Sequence, residues 1–182
     1  CVPDDQKERI VSFLIEHGKH VLVEKPFPVP GITFPKFLAK LTTAQQPYLY
    51  VAYNHRFEPH ICLMKDVVMN QTIGQIYSCN LFYGNGTAKL VKNSPWRDAK
   101  GGVLPDLTSH LLDIVSYWWG GTSFDFRLVF AQNYENRHPD YALMQSFSAS
   151  PKIFLEVSLL EWKNDFVCDL VGSKGSAHIK SL

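Results

Sequence analysis

The chain has 182 residues, 18 Lys and Arg against 17 Asp and Glu, and a formal net charge of +1. A balance this even builds in no broad attraction to nucleic-acid backbones or anionic lipid, and the basic residues Lys89, Lys92, Arg97 and Lys100 are diluted by apolar and polar neighbours. No nucleic-acid or membrane partner is therefore expected. A hydrophobic content of 46% and a charged content of 19% suit one well-cored domain, or one domain plus part of a neighbour.

Cys1, Cys62, Cys79 and Cys168 are far apart and form no CxxC pair. That argues against a zinc ribbon or a dithiol redox motif and for reduced thiols in the cytoplasm. No apolar run reaches the length of a membrane span, and no signal peptide is visible. The chain opens at Cys1 with an apolar pair running straight into a turn, which reads as a cut within a longer protein.

Residues 1–5 read as a strand end followed by a helix start, with Asp4 and Asp5 suiting the helix dipole. Ile10, Phe13, Leu14 and His17 recur at helical spacing until Gly18 stops the helix. The β-branched run His20–Glu24 predicts a buried, parallel strand. Strand, helix and strand in this order form half of a dinucleotide-type βαβ unit. Two prolines and a glycine make residues 27–33 irregular, a modest helix follows over 34–46, and a strand over 48–53 completes the layer.

The rhythm then changes. A helix from about Pro59 to Asn70 leads to Tyr77, Cys79, Leu81 and Tyr83, which alternate as one strand face. Residues 84–101 are turn-rich, and Pro105–Trp119 predicts a strong helix stopped by Gly120 and Gly121. From Phe124 the period is two: Phe124, Phe126, Leu128 and Phe130, later Ile153, Leu155, Val157 and Leu159, then Phe166, Cys168 and Leu170. Successive strands without helices between them predict an antiparallel meander. The fold class is α+β: a Rossmann-type remnant over 1–53, then a domain over 54–182 with an open, mostly antiparallel sheet.

Three stretches carry candidate chemistry. In Gly101–Asp113, Pro105 suits a first helical position, and Asp106 and His110 are four apart on one face, a stripe continued by Asp113 and Tyr117. The helix N-terminus lowers the pKa of His110 while a nearby carboxylate raises it, an opposition suited to a general acid/base. The same residues also suit a buried Asp–His bond that only stabilises the helix start. A metal site from Asp106, His110 and Asp113 is the third possibility, although no further His or Cys sits at ligand spacing; no metal is expected.

The second stretch is Gly18–Pro26, where Lys25 ends a parallel strand at the edge used by α/β sheets for ligands. Its ammonium suits a developing alkoxide, or is a solvated charge. A cis peptide at Pro26 would fix its direction. Third, Asn54–His55–Arg56–Phe57 either lines a polar cleft or pairs with carboxylates at a domain seam, and Trp96–Arg97 is a stacking pair or a loop anchor.

In this order the segments Gly18–Pro26, Asn54–Phe57 and Trp96–Arg97 followed by Gly101, Gly102, Asp106, His110 and Asp113 resemble the glucose-fructose oxidoreductase / inositol dehydrogenase / MocA family. The likeness runs from about Val2 to Asp113. It implies a nicotinamide cofactor, NAD or NADP, and a small-molecule sugar or polyol substrate. It also implies homo-oligomers formed through the C-terminal sheet.

The resemblance implies Lys25 and His110 as catalytic residues with Asp106 orienting them, and Glu24, Lys25, Pro26, Trp96 and Arg97 beside the cofactor. Asn54, Arg56 and Asp113 are assigned to substrate. The implied reaction is hydride transfer from or to a ring carbinol carbon, with His110 handling the hydroxyl proton and Lys25 supporting the oxygen.

Redox-assisted glycoside cleavage would use the same two residues, and a non-catalytic ligand-binding relative would keep the fold alone. The chain departs from the family pattern at Thr108, where glycine is usual, at Leu104–Pro105, and in the proline-rich segment after Pro26. No glycine-rich phosphate turn precedes the first strand, so the 182 residues alone are expected to be inactive. The enzymatic reading requires the Lys25 ammonium and the His110 imidazole to converge on one pocket.

Overall fold

The computed structural model describes residues 2–27, 48–94, 98, 101–122, 124–148 and 150–180, in two compact units, Cys1–Asn54 and His55–Leu182. In the first unit, helix α1 (Asp4–Glu16) follows Pro3, with Asp4 and Asp5 in its first turn. Strand β1 (Val21–Val23) pairs in parallel with β2 (Leu49–Val51), Val21 opposite Leu49 and Val23 opposite Val51. Val11 and Ile15 of α1 bury Val21, Val23 and Phe27.

The expected burial of β1 holds for one face only. Leu22 is 72% exposed, because α1 covers one side and no described residue covers the other. The helix expected over 34–46 lies outside the described residues.

A single 3-10 turn, Asn54–Phe57, runs from the last residue of the first unit into the second, which continues with helix α2 (Pro59–Met69), its proline in the first turn. Strand β3 (Ile76–Gly84) follows. Its pairing with a later strand slips between Ile76 and Ser78, a bulge that turns Ile76 inward and leaves Tyr77 exposed, so Tyr77 does not share the face of Cys79 and Leu81. The turn-rich stretch holds one short helix, α3 (Ala88–Val91). A π-helical turn, Leu104–Thr108, runs directly into α4 (Ser109–Trp118).

Strands β4 (Phe126–Gln132), β5 (Tyr141–Ser146), β6 (Lys152–Ser158), β7 (Asp165–Gly172) and β8 (Gly175–Lys180) follow. They are not a simple meander. Among the described residues the sheet order is β4-β5-β6-β3-β7-β8, so the earlier strand β3 is inserted between two later ones, parallel to β6 and antiparallel to β7.

Ile61, Met64 and Val68 of α2 and Leu111, Ile114, Val115 and Trp118 of α4 pack with Cys79, Leu81, Ile153, Leu155 and Leu170 in one core. Trp118 is fully buried, and its indole N–H donates to the Ile61 carbonyl at 2.9 Å, tying the two helices together. The period-two run at Phe126–Phe130 meets this core only at Phe126. Register slips between Leu128 and Phe130, and Leu128, Val129 and Phe130 are all exposed on an edge strand.

Candidate active site

The start of α4 sinks three titratable side chains. Asp106, His110 and Asp113 are each at most 9% exposed. Asp106 lies in the π-helical turn, where the spiral is wider, so its angular offset from His110 is not that of a regular α-helix. The His110 ring lies 4.6 Å from that of His55 at 80°, and 6.0 Å from that of Tyr83 at 79°. His55 and Tyr83 meet at 5.3 Å and 83°. Burial, then the charges of Asp106 and Glu58, push the Tyr83 hydroxyl above its ordinary value. His55 Nδ1 is 2.5 Å from Glu58 Oε1, and the other Glu58 oxygen is 3.0 Å from His60 Nε2.

Further along α4, Asp113 accepts two hydrogen bonds from Arg56, from Nε at 2.7 Å and Nη2 at 2.5 Å. The guanidinium also lies 5.3 Å from the Tyr117 ring, on which the Lys65 ammonium sits at 4.0 Å. Of the two roles open to Arg56, carboxylate pairing is realised, within its own unit.

The approach to the helix is fixed from outside. Gly102 has φ +61°, and a Cβ there would stand 2.3 Å from the Pro139 carbonyl oxygen. The Val103 N–H donates to that same oxygen at 2.9 Å. The loop 133–140 is held in turn by Asp140, which accepts from the N–H groups of Tyr134, Glu135 and Asn136. Asp98 joins the two loops, accepting from the N–H groups of Asn93 and Arg137.

In the first unit, Glu24–Lys25–Pro26 follows β1, and the Lys25–Pro26 peptide is cis. The Lys25 carbonyl accepts from the buried Lys7 ammonium at 3.0 Å, which also pairs with Asp4 at 2.7 Å. Parallel strands whose carboxyl ends lead to Glu24–Pro26 and Asn54 form the kind of edge at which α/β sheets take the ribose and nicotinamide end of a dinucleotide. These residues fit that group.

The GFO/IDH/MocA C-terminal domain model matches residues 61–178. The chain belongs to this family. Glucose-6-phosphate 3-dehydrogenase of Bacillus subtilis (strain 168) is 30% identical over 118 residues, which is 61% of this chain and 33% of that protein. Among solved structures, a probable dehydrogenase from Thermotoga maritima superposes with TM-score 0.80 at 20% identity, covering 100% of this chain and 56% of the other. Levoglucosan dehydrogenase in complex with NADH and levoglucosan gives 0.80 at 19%, covering 99% and 52%. This GFO/IDH/MocA chain thus spans about a third of the length of the curated relatives it matches and about half of the solved ones.

Within this family member, Arg56, Asp106, His110 and Asp113 belong to the second unit and Glu24, Lys25, Pro26 and Asn54 to the first. Trp96 and Arg97 lie outside the described residues. His55, Glu58 and Tyr83 join the His110 surroundings without having been singled out as site residues. The three-residue spacing of His55 and Glu58 was the available signal for two of them. Among the described residues no group of three or more His, Cys, Asp or Glu is arranged to hold a metal, and no helix is long and apolar enough to cross a membrane.

Proposed function

We propose that the parent protein is an NAD- or NADP-dependent dehydrogenase acting on a ring hydroxyl of a sugar, nucleotide sugar or cyclitol. The observation that carries this is the buried imidazole of His110, set among rings and acids at a helix start in a domain of this family. The glucose-6-phosphate 3-dehydrogenase relative and the NADH–levoglucosan complex support the same substrate class. The nicotinamide supplies the hydride acceptor or donor.

His110 takes or returns the hydroxyl proton, Asp106 positions that imidazole, and Lys25 supports the substrate oxygen as its charge changes. Asn54, Arg56 and Asp113 contact substrate, and Glu24, Pro26, Trp96 and Arg97 lie by the cofactor. In the full-length protein, Lys25→Ala and His110→Ala should each lower kcat/KM by roughly 10²–10⁴ while circular dichroism and melting stay unchanged. Near-normal turnover in either variant removes that residue from its role.

The 182 residues contain no glycine-rich phosphate turn, so this chain alone should bind NADH negligibly. A saturable, tight fluorescence titration would overturn that. A homo-oligomer would form through the uncovered sheet face, where Phe130, Tyr77 and Val171 are exposed. Phe130→Glu should lower the mass measured by light scattering, and an unchanged oligomer counts against this face.

A further inference from the structure

We infer that Lys7 is a positioning residue: its buried ammonium holds the carbonyls of Lys25 and Pro26 and so fixes where the Lys25 side chain leaves the strand end. The inference rests on the dehydrogenase reading only for what the Lys25 ammonium does.

The buried face of α1 is Lys7, Val11 and Ile15, each four residues from the next. Val11 and Ile15 pack with Val21, Val23 and Phe27. One turn earlier the same stripe carries a lysine, 3% exposed, where an apolar residue would fill the space. A charge so buried is costly unless it is paired and hydrogen-bonded. An ammonium has three N–H donors, and this one meets three acceptors. They are Asp4 Oδ1 at 2.7 Å, the Lys25 carbonyl at 3.0 Å and, more weakly, the Pro26 carbonyl at 3.5 Å.

Two of the three belong to the segment that carries the proposed catalytic lysine. The described β1–β2 ladder ends at Val23 opposite Val51, so no rung of it fixes residues 25 and 26. Proline at 26 has no N–H, which leaves the carbonyls as the groups a neighbour can grip. Phe27 is buried again beside Val11 and Ile15. The main chain at Lys25 is thus held by the sheet before it, by the Phe27 ring after it and by Lys7 in between. A helix-start ion pair with Asp4 would not require this lysine, since an apolar side chain replacing a buried pair is often as stable.

The test is a double-mutant cycle in the full-length protein, with K7M, D4N, K25A and K7M/K25A. K7M should lower kcat/KM about 10–10²-fold, mainly in kcat, because a misplaced group acts on the transition state. D4N keeps an acceptor for the ammonium and should leave the rate nearly unchanged. In the K25A background K7M should cost nothing further, because no ammonium remains to be aimed. If K7M does not fold, K7R takes its place: it keeps the charge beside Asp4 but donates from a wider, planar fork, so the same pattern is expected.

Near-normal turnover in the folded variant overturns the inference. So does an equal loss in the K25A background, which would make Lys7 merely structural, or a D4N loss as large as that of K7M. A readout without turnover separates the two readings. Lys–Pro occurs once in these 182 residues, so ¹³C-carbonyl lysine with ¹⁵N-proline labelling reports the Lys25 carbonyl. Its signal should shift in K7M and stay near its place in D4N. A normally active K25A removes the catalytic role of Lys25 and leaves the hold to this signal, whereas an unmoved signal in K7M overturns the hold whatever the activity.

Discussion

Asp98 and Asp140 are buried against backbone amides, whereas Asp106 and Glu58 are set among rings, and the two pairs behave as different kinds of chemistry within one unit. Burial alone would push the Asp98 and Asp140 carboxyls up. Hydrogen bonds from Asn93, Arg137 and His138 in the first case, and from the Asn136 side chain and three N–H groups in the second, outweigh it and hold both below their ordinary values. Fixed amide dipoles make such a carboxylate a permanent anion that locks a loop. The ring cluster instead sets imidazoles and a phenol edge to face, the side-chain types that catalysis uses to move protons and that a structural lock does without.

The largest effect on stability is expected where the lock is cut. Asp140→Ala leaves the N–H groups of Tyr134, Glu135 and Asn136 without their acceptor, and through Pro139 it loosens the Gly102 turn. Urea unfolding should show a loss of about 1–3 kcal/mol, the cost of leaving buried donors unmet. Asp106→Ala should cost clearly less stability and far more kcat/KM. If the two variants lose stability and activity in the same proportion, the distinction between lock and site fails.

The sequence carried one of these clusters far better than the other. Periodicity located α1, α2 and α4, and the run from Lys25–Pro26 to His110 carries the proposed chemistry in side chains, which a sequence spells out directly. Asp98 and Asp140 acquire their partners from the main chain, which has no letter in the sequence. Two single-residue bulges, at Tyr77 and Val129, turned a regular period-two pattern out of phase with the sheet. The place of β3 between β6 and β7 is set by pairing across tens of residues, to which local pattern is blind. Tyr83 comes from a separate strand, and only its convergence on His110 marks it.

The smaller effects separate the clusters by pH. A carboxyl whose folded pKa is depressed contributes stability above its unfolded value, about 3.9 for Asp, and that contribution is lost as pH falls through the folded value. Asp98 and Asp140 therefore steepen the acid limb below about pH 4. A tyrosine whose folded pKa is raised works on the other side. Its contribution is complete below the unfolded value, about 10, and is lost as pH rises through the folded one. Tyr83 belongs here, and so does Tyr141, which its hydrogen bond to Glu156, then burial, carries to about 12. Urea midpoints measured from pH 3 to 11 should show D140N flattening only the acid limb and Y83F flattening part of the alkaline limb, with Tyr141 retaining the rest. A Y83F protein whose acid limb moves instead would mean that the ring cluster is held by its carboxylates, as the lock is, and the contrast between the two clusters would be lost.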